Sequence, residues 1–360
     1  MFNFIKKKKS LNFSSQGIVP SDKKIDFDFN DFSSKNIFNK LSDRSEYGFY
    51  FFPYGYLYRY PKWGTINELG FRTKESLHKL REKFSDSMIV LVFGNSTAFS
   101  ILVKDEDTFC EKLEKKLNKN TELIKKVNKK FKVINMGQPA NVIMQQIVHF
   151  MCFGHQIKPE IVITHSGAGD FHHGQFSDSF FLNNYSFSYH DIYEAWAKKI
   201  HDSDHDIDFD HKDENKSNFR SVSSKNNPMS IIKSYHDRVL QFKQIVEGNN
   251  GKFICGFQSW VYSKQNPSSL EKEKINGYYK FYQNIYSNIF DLCELYQKNH
   301  ILDKNNNFII DIHAHFKKLE SNVSHFGDVV HTLEPGDEEI SICYYNKILQ
   351  MYDIKGLEVG

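Results

Sequence analysis

The feature that most restricts the fold of this 360-residue chain is an alternation beginning near Ser87. Short apolar runs recur there with helical patterns between them. Met88–Phe93 reads as a buried strand, Thr108–Leu117 as a helix and Phe131–Asn135 as a second strand. Met144–Gly154 then reads as a helix, Ile161–His165 as a strand, Ile231–Glu247 as a helix and Lys252–Phe257 as a strand. Asn276–Lys298 follows as a long helix and Phe308–Ile312 as a last strand. Strands that are apolar along their whole length are covered on both faces, and strands separated by helices pair in parallel. The expectation is an α/β fold, a three-layer α/β/α sandwich with a central five-stranded parallel sheet. In such a sheet ligands bind beyond the carboxyl ends of the strands, so reactive residues are sought immediately after each run.

Composition narrows the class further. A hydrophobic fraction of 40% and an aromatic fraction of 15% belong to a folded chain, and a formal charge of only +3 lacks the basic footprint of a nucleic-acid binder. No run of some 18 apolar residues is present, so no membrane span is expected. The lysines Lys6–Lys9 read as a solvated tail, and no apolar stretch follows them that would make a secretion signal. The five cysteines, Cys110, Cys152, Cys255, Cys293 and Cys343, are widely spaced and odd in number. They are expected as free thiols, mostly buried, in a reducing cytoplasmic setting.

The chain divides into an N-terminal extension over residues 1–80, aromatic-rich and partly wrapping, and a main domain over 81–360. Within the extension Tyr47 to Trp63 holds ten aromatic residues, a set suited to covering a core or to lining a sugar site. The main domain carries a polar insertion at about 201–227 that opens His201-Asp-Ser-Asp-His-Asp. Its imidazoles and carboxylates match no metal-ligand spacing, so a solvated insertion is the expectation.

Two short segments have the residue types for nucleophilic chemistry. After the first run comes Gly94-Asn95-Ser96-Thr97, a glycine and a hydroxyl where a strand turns toward a helix. Such a turn exposes a nucleophile and aims backbone amides at it, although Gly-x-Ser is also an ordinary turn. Near the other end, Gly327-Asp328-Val329-Val330-His331 places a carboxylate three residues before an imidazole, able to fix its tautomer and stabilise its charged form. His172 and His173 read as surface turn residues or a rim, and His313 and His315 face one side only if the last strand continues. Gln258 and Trp260, ending the fourth strand, are candidates for substrate contact or, for Trp260, packing.

Taken in order, four blocks resemble the SGNH/GDSL hydrolase family. Gly94-Asn95-Ser96 is similar to its Gly-Asp-Ser block and Asn135-Met136-Gly137 to its glycine block. Ser166-Gly167-Ala168-Gly169-Asp170 is similar to its Gly-x-Asn-Asp block, and Asp328 to His331 to its last block. Asn67-Glu-Leu-Gly-Phe-Arg72 and Asp107-Thr-Phe109 resemble flanking text of SGNH-like proteins among polysaccharide-modifying enzymes. The resemblance implies Ser96 as nucleophile, His331 as base and Asp328 as its orienting acid. It implies backbone amides of Ser96 and Gly137 as oxyanion donors, with Gly169 at the position of the family's donor Asn. It also implies an acyl ester of a carbohydrate or glycoconjugate as substrate, with no metal or organic cofactor. Two departures stand out: Asn95 for Asp, and Gly169, which has no side chain to donate. Gln138 is then a candidate substitute donor or substrate contact. A sugar O-acyltransferase using the same acyl-serine, or a degenerate carbohydrate-binding protein, is the alternative.

Overall fold

The structure is a computed structural model that describes residues 49–52, 55–58, 65–67, 69–139, 141–175, 227–319 and 322–356. The polar insertion, apart from Asn227, and most of the N-terminal extension lie outside the described residues. Two short strands of the aromatic stretch, β1 (Phe49–Phe52) and β2 (Gly55–Tyr58), pair antiparallel. Helix α1 (Leu77–Lys83) precedes the first core strand, β3 (Ser87–Gly94). Then come α2 (Ser96–Phe99), α3 (Phe109–Lys119), α4 (Thr121–Val127), β4 (Lys130–Asn135), α5 (Ile143–Cys152), β5 (Ile161–Ser166) and α6 (Ala168–Gly174). The described chain resumes with α7 (Pro228–Gly248), β6 (Lys252–Phe257), α8 (Ser269–Tyr296), β7 (Ile309–Asp311), α9 (Ile312–Lys317) and α10 (Glu334–Met351).

The five core strands form one parallel sheet in the order β4-β3-β5-β6-β7. The chain starts at β3, steps to β4 on one side and then returns to β5 on the other. That reversal opens a crevice at the carboxyl end of β3, the usual place for a ligand in a doubly wound sheet.

Alternation along each strand builds two cores. Ile89, Leu91 and Phe93 of β3 join Val162 of β5 and Phe253 and Phe257 of β6 in one cluster, with Phe150 of α5 and Val239 and Phe242 of α7. Val90, Val92, Ile163 and Ile254 point the other way, against Leu113 and Leu117 of α3 and Ile340, Tyr344 and Ile348 of α10. The three-layer α/β/α arrangement is therefore built by period-two side-chain direction over strands apolar on both faces. Phe71, Leu77 and Leu80, placed by sequence in the extension, are buried in the first cluster.

Helix starts follow local chemistry. Thr108 caps α3 by accepting from the Glu111 N–H, and Ser268 and Glu271 form a reciprocal capping box on α8. Four cysteines are buried and Cys152 is exposed; all five are free thiols. Among the described residues no helix is long and apolar enough to cross a membrane.

Candidate active site

Ser96 opens α2 directly after β3, at the reversal of the sheet. Asn95 caps this short helix, its Oδ1 accepting from the Thr97 N–H at 3.0 Å and the Thr97 hydroxyl at 2.7 Å. Gly94 serves close approach. Its φ of 158° is nearly extended, but a Cβ there would lie 2.4 Å from Ala98 Cβ and 2.5 Å from the His165 carbonyl oxygen. The requirement for Gly94 is thus a matter of room: α2 sits against the backbone of β5. Gly137 does the same from just beyond β4, where a Cβ would lie 2.6 Å from the Phe99 nitrogen.

The exit of the turn is held by Arg72, which sequence reasoning missed as a site residue although it ends the Asn67–Arg72 block. Its guanidinium is buried and donates to the carbonyls of Phe99 (2.7 Å), Ser100 and Val103 (2.6 Å), with Nε on Asp105 at 3.0 Å. Ser100 there has a φ of 57°, the left-handed region, so the planar fork stabilises a bend the backbone does not favour alone.

The other half of the site lies on the loop between α9 and α10. A single antiparallel bridge joins Phe326 and Thr332, closed by Gly327 N–H donating to His331 O at 2.9 Å and Leu333 N–H to His325 O at 2.8 Å. Asp328 Oδ1 accepts from the N–H groups of Val330 (2.8 Å) and His331 (2.7 Å). Its Oδ2 lies 2.6 Å from His331 Nδ1, and His331 Nε2 lies 2.7 Å from Ser96 Oγ. Burial alone would raise the Asp328 carboxyl. Electrostatic attraction to His331 and hydrogen bonds from His331 and Val330 outweigh it and hold the group below the ordinary carboxylate range. An ionised carboxylate only accepts, so Nδ1 carries the ring proton and Nε2 is left to accept from the serine hydroxyl.

This loop is anchored by an ion pair absent from the sequence reading. Lys264 and Glu271 side chains are fully buried, 2.8 Å apart. Lys264 Nζ also donates to Val323 O at 3.1 Å and to His325 Nδ1 at 3.0 Å. Glu271 Oε1 accepts from the His325 and Phe326 N–H groups at 2.8 and 3.1 Å. Burial opposes the Glu271 charge, but Lys264 and the amides of Ser268 and His325 leave its pKa lowered.

The remaining expected residues are placed differently. The Gly137 N–H donates to Asn135 Oδ1 at 2.8 Å and is engaged within the turn, contrary to its expected role as an oxyanion donor. Gly169 lies on α6 beside Asn95, with Asn95 Nδ2 2.4 Å from where its Cβ would be. Gln138 is buried and its Nε2 donates to Leu69 O at 3.1 Å, which corrects its reading as a substrate contact. Gln258 is fully buried and its Oε1 accepts from Asn95 Nδ2 at 2.9 Å, so it lines no open substrate surface. Trp260 is 1% exposed and packs on Tyr262, so packing holds for it.

The histidine pairs are also corrected. The strand stops at Asp311, whose Oδ1 caps α9 through the Ala314 N–H at 2.8 Å, so His313 and His315 lie on a helix, where neighbours two apart diverge. His313 is buried against Ser263 at 3.0 Å and His315 pairs with Glu339 at 2.7 Å. His173 is buried on α6, and its ring lies beside that of His172. Asp170 of the same helix accepts from the Ile143 and Gly167 N–H groups at 2.6 and 3.1 Å, and burial pushes its pKa up to about 7. It ties α5 to α6. Among the described residues no group of three or more His, Cys, Asp or Glu is arranged to hold a metal.

No protein-family profile and no curated protein matches the chain. Among solved structures it is similar to an acetyl xylan esterase, with 13% identity, 72% of this chain and 99% of that one covered, and a TM-score of 0.42. A lipolytic protein of the G-D-S-L family from Desulfitobacterium hafniense is similar at 11% identity, with 72% and 99% covered and a TM-score of 0.40. An acetylxylan esterase from Geobacillus stearothermophilus is similar at 12% identity, with 72% and 94% covered and a TM-score of 0.39. These are distant likenesses; the five-stranded parallel sheet with helices on both faces is the arrangement that the SGNH/GDSL resemblance implies.

Proposed function

We propose that the protein is a serine esterase of the SGNH/GDSL type, using Ser96 as nucleophile, His331 as general base and acid, and Asp328 as the group that orients it. The observation that carries this reading is the continuous relay from Asp328 Oδ2 to His331 Nδ1 (2.6 Å) and from His331 Nε2 to Ser96 Oγ (2.7 Å). Ser96 is half-buried at the sheet's carboxyl edge, where an ester can reach it.

The chemistry follows from the proton positions. Ser96 Oγ attacks the ester carbonyl carbon while its proton passes to His331 Nε2, and the carbonyl electron pair moves onto oxygen. Asp328 stabilises the resulting imidazolium without taking its proton. On collapse the C–O bond to the alcohol breaks and His331 returns the proton to the leaving oxygen. Water then attacks the acyl-serine through the same base, and the acid is released with Ser96 restored. All groups needed are supplied by the chain itself. The sugar alcohol is assigned on the resemblance of Asn67–Arg72 and Asp107–Phe109 to polysaccharide-modifying SGNH-like proteins, and acetyl is the first acyl group to try.

The test is hydrolysis of an aryl acetate by wild type and S96A, with fluorophosphonate labelling alongside. The expected result is Ser96-dependent turnover and a label on Ser96 only. Equal rates in both proteins, with no label, would end the serine mechanism.

A further inference from the structure

The tetrahedral intermediate at Ser96 carries a negative oxygen, and it is stabilised by donors that already point at it. The Ser96 N–H has no acceptor among the described residues, which leaves it available as one such donor. Its expected companions are committed or absent. The Gly137 N–H is bonded to Asn135 Oδ1, Gly169 has no side chain, and Gln138 Nε2 gives a hydrogen bond to Leu69 O.

Asn95 is adjacent and differently placed. Its amide is oriented from both ends: Oδ1 accepts from the Thr97 N–H and hydroxyl, and Nδ2 donates to Gln258 Oε1 at 2.9 Å. An amide nitrogen carries two N–H groups, and the second has no acceptor among the described residues. The group lies directly over Gly169, where an added Cβ would meet Nδ2 at 2.4 Å and Cγ at 3.5 Å. Any side chain at position 169 would therefore evict it. Gln258 is fully buried and leaves its own Nε2 without a partner, so its orientation sacrifices one end of the amide to hold Asn95 with the other.

We propose that the Asn95 side-chain amide, held by Gln258 in the space that Gly169 leaves empty, is the side-chain donor to the oxyanion formed at Ser96. The proposal rests on the esterase reading above. Asn95 changes no bond of its own. It donates one hydrogen bond that strengthens as the carbonyl electron pair moves onto oxygen, and gives it up when the intermediate collapses. Gln258 acts through Asn95 as a positioning residue.

The experiment uses the full chain with an aryl acetate, comparing wild type, S96A, N95S, G169N and the N95S/G169N pair. Serine keeps a capping hydroxyl at position 95 but no amide, so N95S is expected to lose about 10²–10³ in kcat with KM within about threefold. G169N alone is expected to be impaired, because its Cβ meets the Asn95 amide. In the pair the space is cleared and an amide returns from position 169, so at least about tenfold of the N95S loss should come back. That recovery also shows that N95S did not simply misfold. Ser96-dependent turnover in wild type with N95S kcat within about threefold of it overturns the proposal, as does an N95S defect that the pair leaves unchanged. Equal rates in wild type and S96A remove the esterase reading itself, a distinguishable result.

Discussion

The two halves of the site are held in place by different physics. The turn at Gly94–Ser100 that bears Ser96 sits on the sheet and is fixed chiefly by close packing: Gly94 and Gly137 leave no room for a Cβ, Asn95 caps α2, and Arg72 gathers three carbonyls at its exit. The loop bearing Asp328 and His331 belongs to no strand or long helix; it buries Phe326 and Val329 in the second core cluster. Buried charge adds to that hold, with Lys264 and Glu271 gripping Val323, His325 and Phe326, and Asp337 accepting from the Thr332 hydroxyl and the Phe109 N–H. His325 is kept neutral-leaning by burial and by the Lys264 charge, and its Nδ1 therefore accepts from that ammonium. Steric packing tolerates little change in volume, whereas a buried ion pair tolerates little change in charge. The 2.7 Å between Ser96 and His331 requires both.

The comparison breaks first at Asp328. Replacing it with Asn removes the acceptor for Nδ1–H and favours the wrong tautomer, so D328N is expected to lose about 10⁴ in kcat while Ser96 stays in place. Steady-state kinetics check this; a loss under tenfold would mean that the loop does not depend on the carboxylate. Removing one member of the buried pair comes next. K264M strands the Glu271 charge and should cost about 3–5 kcal/mol in urea unfolding, and K264M/E271L, which strands nothing, should recover most of it. If the single variant unfolds at the wild-type denaturant midpoint, charge is not what secures the loop. The smallest effect belongs to the packed side: G137A pushes a methyl onto the Phe99 nitrogen and should cost about 1–3 kcal/mol, measured the same way. Tolerance of alanine there would erase the contrast between the halves.

Legibility along the chain follows the range of the interaction. The five apolar runs were readable because each strand is buried on both faces, and Lys252–Phe257 falls where the sequence puts it. The apolar pattern carries the last strand one residue too far because Asp311 caps a helix at once, a side-chain hydrogen bond that hydrophobicity does not record. Helix α10 has no clear signature in the sequence because its buried positions include Gly336, Asp337 and Ser341 as well as Ile340, Tyr344 and Ile348, leaving no clean apolar stripe. Gln138, Gln258 and Trp260 do follow strands, but being near the carboxyl edge says nothing about depth, and all three are buried.

Periodicity and spacing within short windows determined the layered sheet, the serine after its first strand, and the three-residue step by which Asp328 binds both the backbone and the ring of His331. Those are local, since a run of side chains or one turn contains the whole interaction. Only the tertiary structure decided that His331 meets Ser96 across 235 residues, that Gly137 spends its N–H on Asn135, and that Gly169 makes way for the Asn95 amide. Each depends on which buried donor finds which acceptor once the layers close, and that competition is resolved by packing far away in sequence.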